Sequence, residues 1–221
     1  MTNSIFFNDY LNRNHASLAQ MVNELFDHVS SRLLVIRIDF IYRSEFKDQI
    51  TLDLVQEHRS RLLDNRRRNK KLFADLLGYA WSLEHGSYDP KTNIAGTGFH
   101  HHFLFLFNGH IRNLDINIGL AIANYFDTVI THGMSHSYVS NFDKAKFEKN
   151  GTLGIGSIAH NDIEERNNLL SHVAGYLAKG TLSKDGSEQD VLFGKYRRFG
   201  RSQLDPIPVG TIKRGRPRAS I

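Results

Sequence analysis

The 221-residue chain contains no cysteine. Disulfide bonds are therefore excluded, and any bound metal ion must rely on nitrogen and oxygen ligands. The chain also lacks a run of 18 apolar residues, so the sequence predicts no membrane-spanning segment. Its first residues lack the basic stretch followed by apolar residues that marks a secretory signal. Together with the missing cysteine, these absences favour a cytoplasmic protein without a membrane partner.

Positive charge is distributed unevenly along the chain, whose formal net charge is +5. The segment from Lys195 to the C-terminus holds eight basic side chains and one acidic side chain. Residues 1–194 hold 20 basic and 22 acidic side chains, so the body of the protein is nearly neutral. Basic tails usually bind nucleic acids, although some only increase solubility.

Three consecutive histidines open the most informative motif, the run Gly-Phe-His-His-His-Phe-Leu-Phe-Leu-Phe-Asn-Gly over residues 98–109. Its strand-forming residues and its terminal Asn-Gly predict a buried β-strand that ends in a turn. Since side chains alternate along a strand, His100 and His102 share one face, about 7 Å apart, while His101 points into the core. Two such imidazoles would form half of a metal site. The alternative is that these histidines are packed core residues.

The remaining hydrophobic periodicity predicts an α+β fold. It indicates strands at residues 33–42 and 78–85, the histidine strand, and a fourth strand within residues 135–158. Helices are predicted over residues 16–30, 49–73, 115–131 and 161–179. The order β-α-β-β-α-β, with a further helix at each end, matches a ferredoxin-like split βαβ plait. In that plait, helices cover one face of an antiparallel sheet and leave the other face free for a ligand.

The second predicted strand carries a candidate third metal ligand. Large side chains form its core face, and its opposite face consists of Ala80, Ser82 and Glu84. If this strand pairs with the histidine strand, Glu84 can meet His100 and His102. One Glu and two His form a suitable three-ligand set for a divalent cation with open coordination positions. Alternatively, Glu84 is a solvated carboxylate at the end of a strand.

The last predicted helix contains a candidate nucleophile. His172, Tyr176 and Lys179 fall on one flank of its apolar stripe, at positions i, i+4 and i+7. A phenol has an ordinary pKa near 10, so attack at neutral pH requires a nearby cation such as Lys179 to favour the phenolate. Tyr138 and Tyr125 are the next candidates for this role. In the alternative interpretation, Tyr176 is an interface aromatic and Lys179 only complements the helix dipole.

Taken in order, these motifs resemble those of the HUH endonuclease superfamily, which comprises rolling-circle replication initiators, relaxases and related transposases. The resemblance rests on the His-x-His strand, the acidic residue on the neighbouring strand and the later helix with Tyr-x-x-Lys. Short sequence segments around these residues are similar to those of phage and prophage replication proteins of the inovirus gene-two type. These segments are Leu-Val-Ile-Arg-Ile-Asp, Gly-Tyr-Ala-Trp-Ser-Leu-Glu and Gly-Tyr-Leu-Ala-Lys. The resemblance covers roughly residues 30–182. His101 is a departure, since a bulky apolar residue usually fills the middle position.

The resemblance implies site-specific nicking of one DNA strand at a replication origin. His100, His102 and Glu84 would hold Mg²⁺ or Mn²⁺, which would polarise the scissile phosphate. Tyr176 would attack that phosphate and leave a 5′-phosphotyrosine and a free 3′-hydroxyl that primes rolling-circle replication. Lys179 would stabilise the phenolate or the charge that develops on the phosphate.

Further expectations concern the surroundings of this site. Arg37 and Asp39 alternate with apolar residues on the first strand, so both are expected on the open face. There they would either support the metal ligands or contact DNA, and Arg37 is the candidate DNA contact. Since no helicase motif is visible, a host helicase and a host polymerase are expected partners. The resemblance implies the cytoplasm of a bacterial host.

The C-terminal residues Lys213-Arg214-Gly215-Arg216-Pro217-Arg218 resemble an AT-hook. Such a core lies extended in the minor groove of A·T-rich DNA, so Arg214, Arg216 and Arg218 are candidate contacts to duplex DNA. The alternative is a basic tail that contacts phosphates without sequence preference. The predicted organisation is a helical extension over residues 1–30, a catalytic domain over residues 31–182 and a basic DNA-binding tail over residues 183–221.

Two other functions compete with DNA nicking. The first is a nonenzymatic nucleic-acid-binding protein or regulator on the same fold, with aromatic side chains as a stacking surface. The phenylalanines of the histidine strand share the His101 face, which indicates a core and counts against this alternative. The second is a metal-dependent hydrolase for small substrates, which the basic tail does not favour.

Overall fold

The computed structural model describes residues 2–85, 98–179 and 196–204, with side chains from residue 12 onward except that of Lys179. Within these residues the strands are β1 Arg32–Tyr42, β2 Leu76–His85, β3 Phe99–Asn108, β4 Ser135–Val139, β5 Gly156–Ala159 and β6 Phe199–Arg201. The α-helices are α1 Thr2–Glu24, α2 Leu52–Arg68, α3 Lys70–Phe73, α4 Asp115–Asn124, α5 Lys144–Lys149, α6 Ile163–Asn168 and α7 Gly175–Lys179. None of the described helices is long and apolar enough to cross a membrane.

The strands form one sheet in which every pairing is antiparallel, with the main order β4-β1-β3-β2-β6. β1 and β2 are joined through α2 and lie on either side of β3, which is the split βαβ arrangement. β3 and β4 are joined through α4 and lie on either side of β1. The predicted α+β class and the split βαβ plait are therefore confirmed.

Two short strands share one edge of β1, where the sequence predicted a single strand within residues 135–158. β4 pairs with residues 38–42 and β5 pairs with residues 32–35. Asn141 fills the interval between them. Its Oδ1 accepts a hydrogen bond from the amide of Arg37 at 3.0 Å, and its Nδ2 donates to the carbonyl of Val35 at 2.9 Å. This side chain satisfies the backbone groups that neither short strand reaches.

Helices cover both faces of the sheet, although the sequence predicted cover on one face only. On the first face, α2 and α4 pack against alternate strand residues that include Phe103 and Phe105. On the second face, α1 and the last helix pack against Leu33, Leu104 and Leu106. The second face needs this cover because one half of it is apolar, and exposing it to water would be unfavourable.

The N-terminal helix, predicted as an extension, is part of the second core. Leu18, Met21 and Val22 are each at most 1% exposed. They belong to the same apolar cluster as Leu177 of the last helix. α1 therefore supports the helix that carries Tyr176.

Three helical segments widen into π-helical turns, at Leu25–Val29, Tyr125–Ile130 and Leu169–Ala174. A π-helical turn adds residues to the α-helical register and rotates the side chains that follow. In the last helix, Leu169 is fully buried, whereas Ile163, which precedes the π-helical turn, is 71% exposed. The helix predicted over residues 49–73 is interrupted at Asn69, between α2 and α3.

The basic C-terminal segment begins inside the fold. β6 pairs with the outer edge of β2. Arg201 of β6 donates from Nε to the hydroxyl of Ser17 on α1 at 2.7 Å, and buried Ser202 accepts from the amide of Tyr79 at 3.0 Å. Residues 199–202 are therefore bound to the sheet and to α1. The AT-hook-like residues Lys213–Arg218 lie outside the described residues.

Candidate active site

The candidate site lies on the second face of the sheet, beyond the half that α1 and the last helix cover. Strand pairing places Asp39, His102 and Ser82 side by side across β1, β3 and β2. The next row holds His100 and Glu84 as direct neighbours. Because residues two apart on a strand point to the same side, both rows share one face. The predicted meeting of Glu84 with the two histidines agrees with this register.

His102 is held between two carboxylates. Its Nδ1 lies 2.8 Å from Oδ1 of Asp39, and its Nε2 lies 2.5 Å from Oε2 of Glu84. Arg37 extends this series of contacts, with its Nη2 3.2 Å from Oδ2 of Asp39. The side chain of His102 is only 6% exposed. The charges alternate in sign along this series of contacts. Each charge therefore has an opposite charge beside it, which offsets the cost of removing it from water. We call these four residues the charge chain.

The pKa values at the site follow from the charge chain. Burial alone would lower the pKa of His102, but Asp39 and Glu84 outweigh it and raise that pKa to about 9. Burial alone would raise the pKa of Asp39, but His102 and Arg37 outweigh it and hold that pKa at about 2. At neutral pH, and without a metal ion, His102 is therefore an imidazolium that donates from both ring nitrogens.

The three consecutive histidines have different surroundings. The rings of His100 and His102 lie on one face, with centroids 6.4 Å apart. His101 points to the opposite face, is fully buried, and places Nε2 3.3 Å from the carbonyl oxygen of Val55 on α2. Burial lowers the pKa of His101 to about 3, so its ring is neutral. The predicted alternation is confirmed, and His101 is a core residue.

Tyr176 reaches the same face from α7. Its ring centre lies 5.0 Å from that of His102, and the two rings are nearly perpendicular. The guanidinium carbon of Arg37 lies 4.2 Å from the centre of the Tyr176 ring. Tyr176 is 40% exposed, so a substrate can reach it from solvent. Helix packing thus brings the predicted nucleophile into contact with the charge chain.

The phenol of Tyr176 is protonated at neutral pH in this arrangement. Partial burial raises its pKa, and the carboxylates of Glu84 and Asp39 raise it further, to about 12, against the opposing effect of Arg37. Attack by this oxygen therefore requires additional positive charge near the two carboxylates.

The two other candidate nucleophiles are placed less well. Tyr138 of β4 lies opposite Asp39, but its hydroxyl donates to Asp143. Burial and this bond raise the pKa of Tyr138 to about 12. Tyr125 packs against the first core, on the far side of the sheet. It cannot share a substrate with His102.

The donor atoms at the site suit a divalent cation, although a complete ligand set is not assembled. Imidazole nitrogens and carboxylate oxygens are ligands for Mn²⁺, and the carboxylate also suits Mg²⁺. Among the described residues, no group of three or more His, Cys, Asp or Glu side chains has the spacing to hold a metal ion. Nε2 of His102, the expected ligand atom, instead contacts Glu84. Ligands of one cation lie about 3 Å apart, so a small separation of this pair would admit the ion.

The other predicted site residues have the following positions. Arg37, predicted to contact DNA, is paired with Asp39 and lies against Tyr176, with its side chain 16% exposed. Lys179 ends α7, and its side chain lies outside the described part of the chain. The tail arginines that were predicted to bind DNA also lie outside it: Arg214, Arg216 and Arg218.

A cleft of about 170 Å³ opens beside Tyr176, and the sequence did not predict it. Arg37, Thr152 and His172 line it together with apolar side chains. The cleft exists because the loop before β5 packs against the last helix. Gly154 is the residue in the sequence that indicates this close packing, since a Cβ there would lie 2.4 Å from the backbone nitrogen of Leu169.

Comparisons with protein-family models, with curated proteins and with solved structures found no match for this chain. Its function must therefore be inferred from the chemistry of the site itself.

We predict that Asp39→Ala lowers the free energy of unfolding by about 3 kcal/mol, because it leaves His102 and Arg37 without their shared carboxylate. Urea unfolding at neutral pH measures this loss. The matched control is Glu45→Ala, which removes a carboxylate from the exposed pair with Arg43, 3.8 Å long. That control should cost less than about 1 kcal/mol. Equal effects of the two substitutions would contradict the importance of the charge chain.

Proposed function

We propose that this protein is a metal-dependent HUH-type endonuclease that nicks and rejoins one DNA strand at a specific site through a tyrosine intermediate. One observation carries the proposal: Tyr176 of α7 lies ring to ring, at 5.0 Å, with His102. A nucleophile, two imidazoles and a carboxylate thus occupy one open patch of the sheet, which suits attack on a phosphodiester. The resemblance of the motifs and their order on the plait support the same function.

In the proposed reaction, the phenolate oxygen of Tyr176 attacks the scissile phosphorus after the phenolic proton passes to solvent. The new bond between tyrosine oxygen and phosphorus replaces the bond to the 3′-oxygen of the upstream nucleotide. That oxygen leaves and takes up a proton, which yields a 3′-hydroxyl. Arg37 favours the phenolate, since its guanidinium lies against the Tyr176 ring. Arg37 thus takes part of the role that the sequence assigned to Lys179.

Glu84, His100 and His102 are the residues that would hold Mg²⁺ or Mn²⁺. When bound, the cation would polarise the phosphate and offset the carboxylates that keep the phenol protonated. Asp39 would orient the His102 ring through Nδ1, leaving Nε2 for the ligand position. Arg37 holds Asp39 in place from the other side.

The cleft beside Tyr176 gives the DNA strand a path to the nucleophile. Arg37 and His172 line it, and Nε of Arg37 is buried without a hydrogen-bond partner among the described residues. The Arg37 guanidinium and the His172 imidazole could meet a phosphate that flanks the scissile one. The liberated 3′-hydroxyl would then be extended by a host polymerase with a host helicase, in the cytoplasm of a bacterium that carries a phage, prophage or plasmid.

A nonenzymatic nucleic-acid-binding protein is the second candidate function. The observation that favours it is the contact between His102 and Glu84, which occupies a ligand position. Against it, Phe103, Phe105 and Phe107 are at most 1% exposed and offer no stacking surface. The two candidates differ in one product, a covalent protein–DNA adduct.

We predict that Tyr176 becomes joined to the 5′-phosphate of cleaved single-stranded DNA. The test uses a random-sequence pool of oligonucleotides with Mn²⁺, because the preferred sequence is unknown. DNA labelled at its 3′ end should migrate with the denatured protein, and DNA labelled at its 5′ end should be released with an extendable 3′-hydroxyl. Mass spectrometry of the adduct should identify a peptide modified at Tyr176.

Tyr176→Phe should abolish this adduct, while the matched variant Tyr138→Phe should retain it. An adduct that persists in Tyr176→Phe would assign the nucleophile to another residue. If no pool member forms an adduct with wild-type protein, yet single-stranded DNA still binds, the nonenzymatic candidate is correct.

We predict that Glu84→Ala, His100→Ala and His102→Ala each lower the cleavage rate at least about 100-fold, because each removes a ligand of the cation. Binding of Mn²⁺, followed by calorimetry, should weaken in the same variants, while binding of single-stranded DNA without metal changes little. Exposed His110→Ala is the control and should leave both measurements unchanged. Wild-type Mn²⁺ affinity in His102→Ala would exclude the proposed ligand set.

We predict that removing residues 205–221 weakens binding to duplex DNA and flattens its salt dependence, while nicking of saturating single-stranded DNA remains. The removed segment holds four basic side chains and one acidic side chain, and salt-dependent affinity follows the number of phosphates neutralised. The truncation begins after β6, so it leaves intact the strand that pairs with β2. Arg216→Ala alone should reduce the preference for A·T-rich duplex. An unchanged preference would leave only nonspecific phosphate contacts.

A further inference from the structure

An open groove of about 440 Å³ lies on the outer surface of the helices that cover the first face. Its walls come from α3, α4, the loop between β3 and α4, and the π-helical turn after α4. Its floor includes Leu72, Ile118 and Ala121. The sheet separates this groove from the candidate active site, so DNA nicking makes no use of it.

Large apolar side chains in this groove are exposed to solvent. Ile111 is 62% exposed, Leu114 is 60% exposed and Val129 is 47% exposed, and all three line the groove. Leu120, on α4 but outside the lining, is 47% exposed. Apolar side chains clustered in this way on a surface mark a site of interaction with another molecule.

The charged side chains that line the groove are cations. Lys71 and Arg112 line it, and among the described residues no Asp or Glu does. The junction of α2 and α3 adds three further exposed cations: Arg67, Arg68 and Lys70. Asp75 partly compensates Arg112, since its Oδ2 lies 3.4 Å from Nε of Arg112. The surface therefore joins an apolar floor to a positive rim.

We propose that this groove docks an acidic amphipathic helical segment of a partner protein. Apolar side chains on one face of such a segment would cover Ile111, Leu114 and Val129, and its carboxylates would meet Lys71 and Arg112. This docking does not depend on the proposed DNA chemistry.

Other occupants fit these observations less well. DNA would pair its phosphates with the cations but would leave the apolar floor exposed. A second copy of this chain, related by a two-fold axis through the groove, would bring the two positive rims together, which is unfavourable.

The test measures fluorescence anisotropy of a labelled peptide of about four helical turns, with leucines on one face and glutamates elsewhere. Full-length protein should bind it, and a scrambled peptide of equal composition should bind at least about fivefold more weakly. Ile111→Ser and Lys71→Glu should each weaken binding by about fivefold or more. The matched controls are Leu120→Ser, outside the lining, and Lys149→Glu on α5, which should change affinity by less than about twofold.

A peptide with lysine in place of glutamate should bind wild-type protein poorly and Lys71→Glu better. All substituted side chains are exposed, and circular dichroism verifies that each variant is folded. Equal affinity for the scrambled peptide, or no effect of Ile111→Ser, would overturn the proposal. A dimer in sedimentation velocity that Ile111→Ser dissociates would assign the groove to a second copy. Duplex DNA binding that falls with Ile111→Ser would assign it to DNA.

Discussion

The imidazole of His102, bonded on each side to a carboxylate, is the interaction on which the candidate site depends. The arrangement requires three strands in register, since Asp39, His102 and Glu84 come from β1, β3 and β2. A slip of β3 by one residue would turn His102 into the first core and bring His101 to the site. The all-antiparallel order of the plait and the apolar pattern on both of its faces hold this register.

Asp39 connects the two halves of the site. One of its oxygens bonds His102, and the other bonds Arg37, which in turn lies against Tyr176. Tyr176 and the expected metal ligands are therefore connected through one largely buried carboxylate. Its position between two cations keeps it ionised, so it can orient an imidazole on one side and a guanidinium on the other. In the proposed reaction, this coupling would let the last helix and a central strand act on one phosphate.

The sequence predicted those parts of the site that depend on local alternation. The opposite directions of His101 and His102, and the face shared by His100 with His102, follow from the period of a strand. The contact of Asp39 with His102 depends on the pairing of β1 with β3, which no local pattern encodes. The cleft beside Tyr176 depends on the close approach of Gly154 to the last helix, a contact between distant segments.

The sequence predicted the long elements of the fold better than the short ones. β6 has three residues and β5 has four, too few for a hydrophobic period to be detected. The cover on the second face was not predicted because the plait specifies helices on one face, whereas α1 and the last helix lie outside its β-α-β-β-α-β order.

The two faces of the sheet are suited to two separate tasks. The second face carries ionised groups and a tyrosine within reach of solvent, and the first face is covered by helices whose outer surface is apolar and positively charged. Because the sheet lies between them, a protein docked on α3 and α4 would leave the nucleophile accessible to a DNA strand. In the proposed reaction, a host polymerase would extend the 3′-hydroxyl. A docking surface on the far side of the sheet would not compete with DNA for the site.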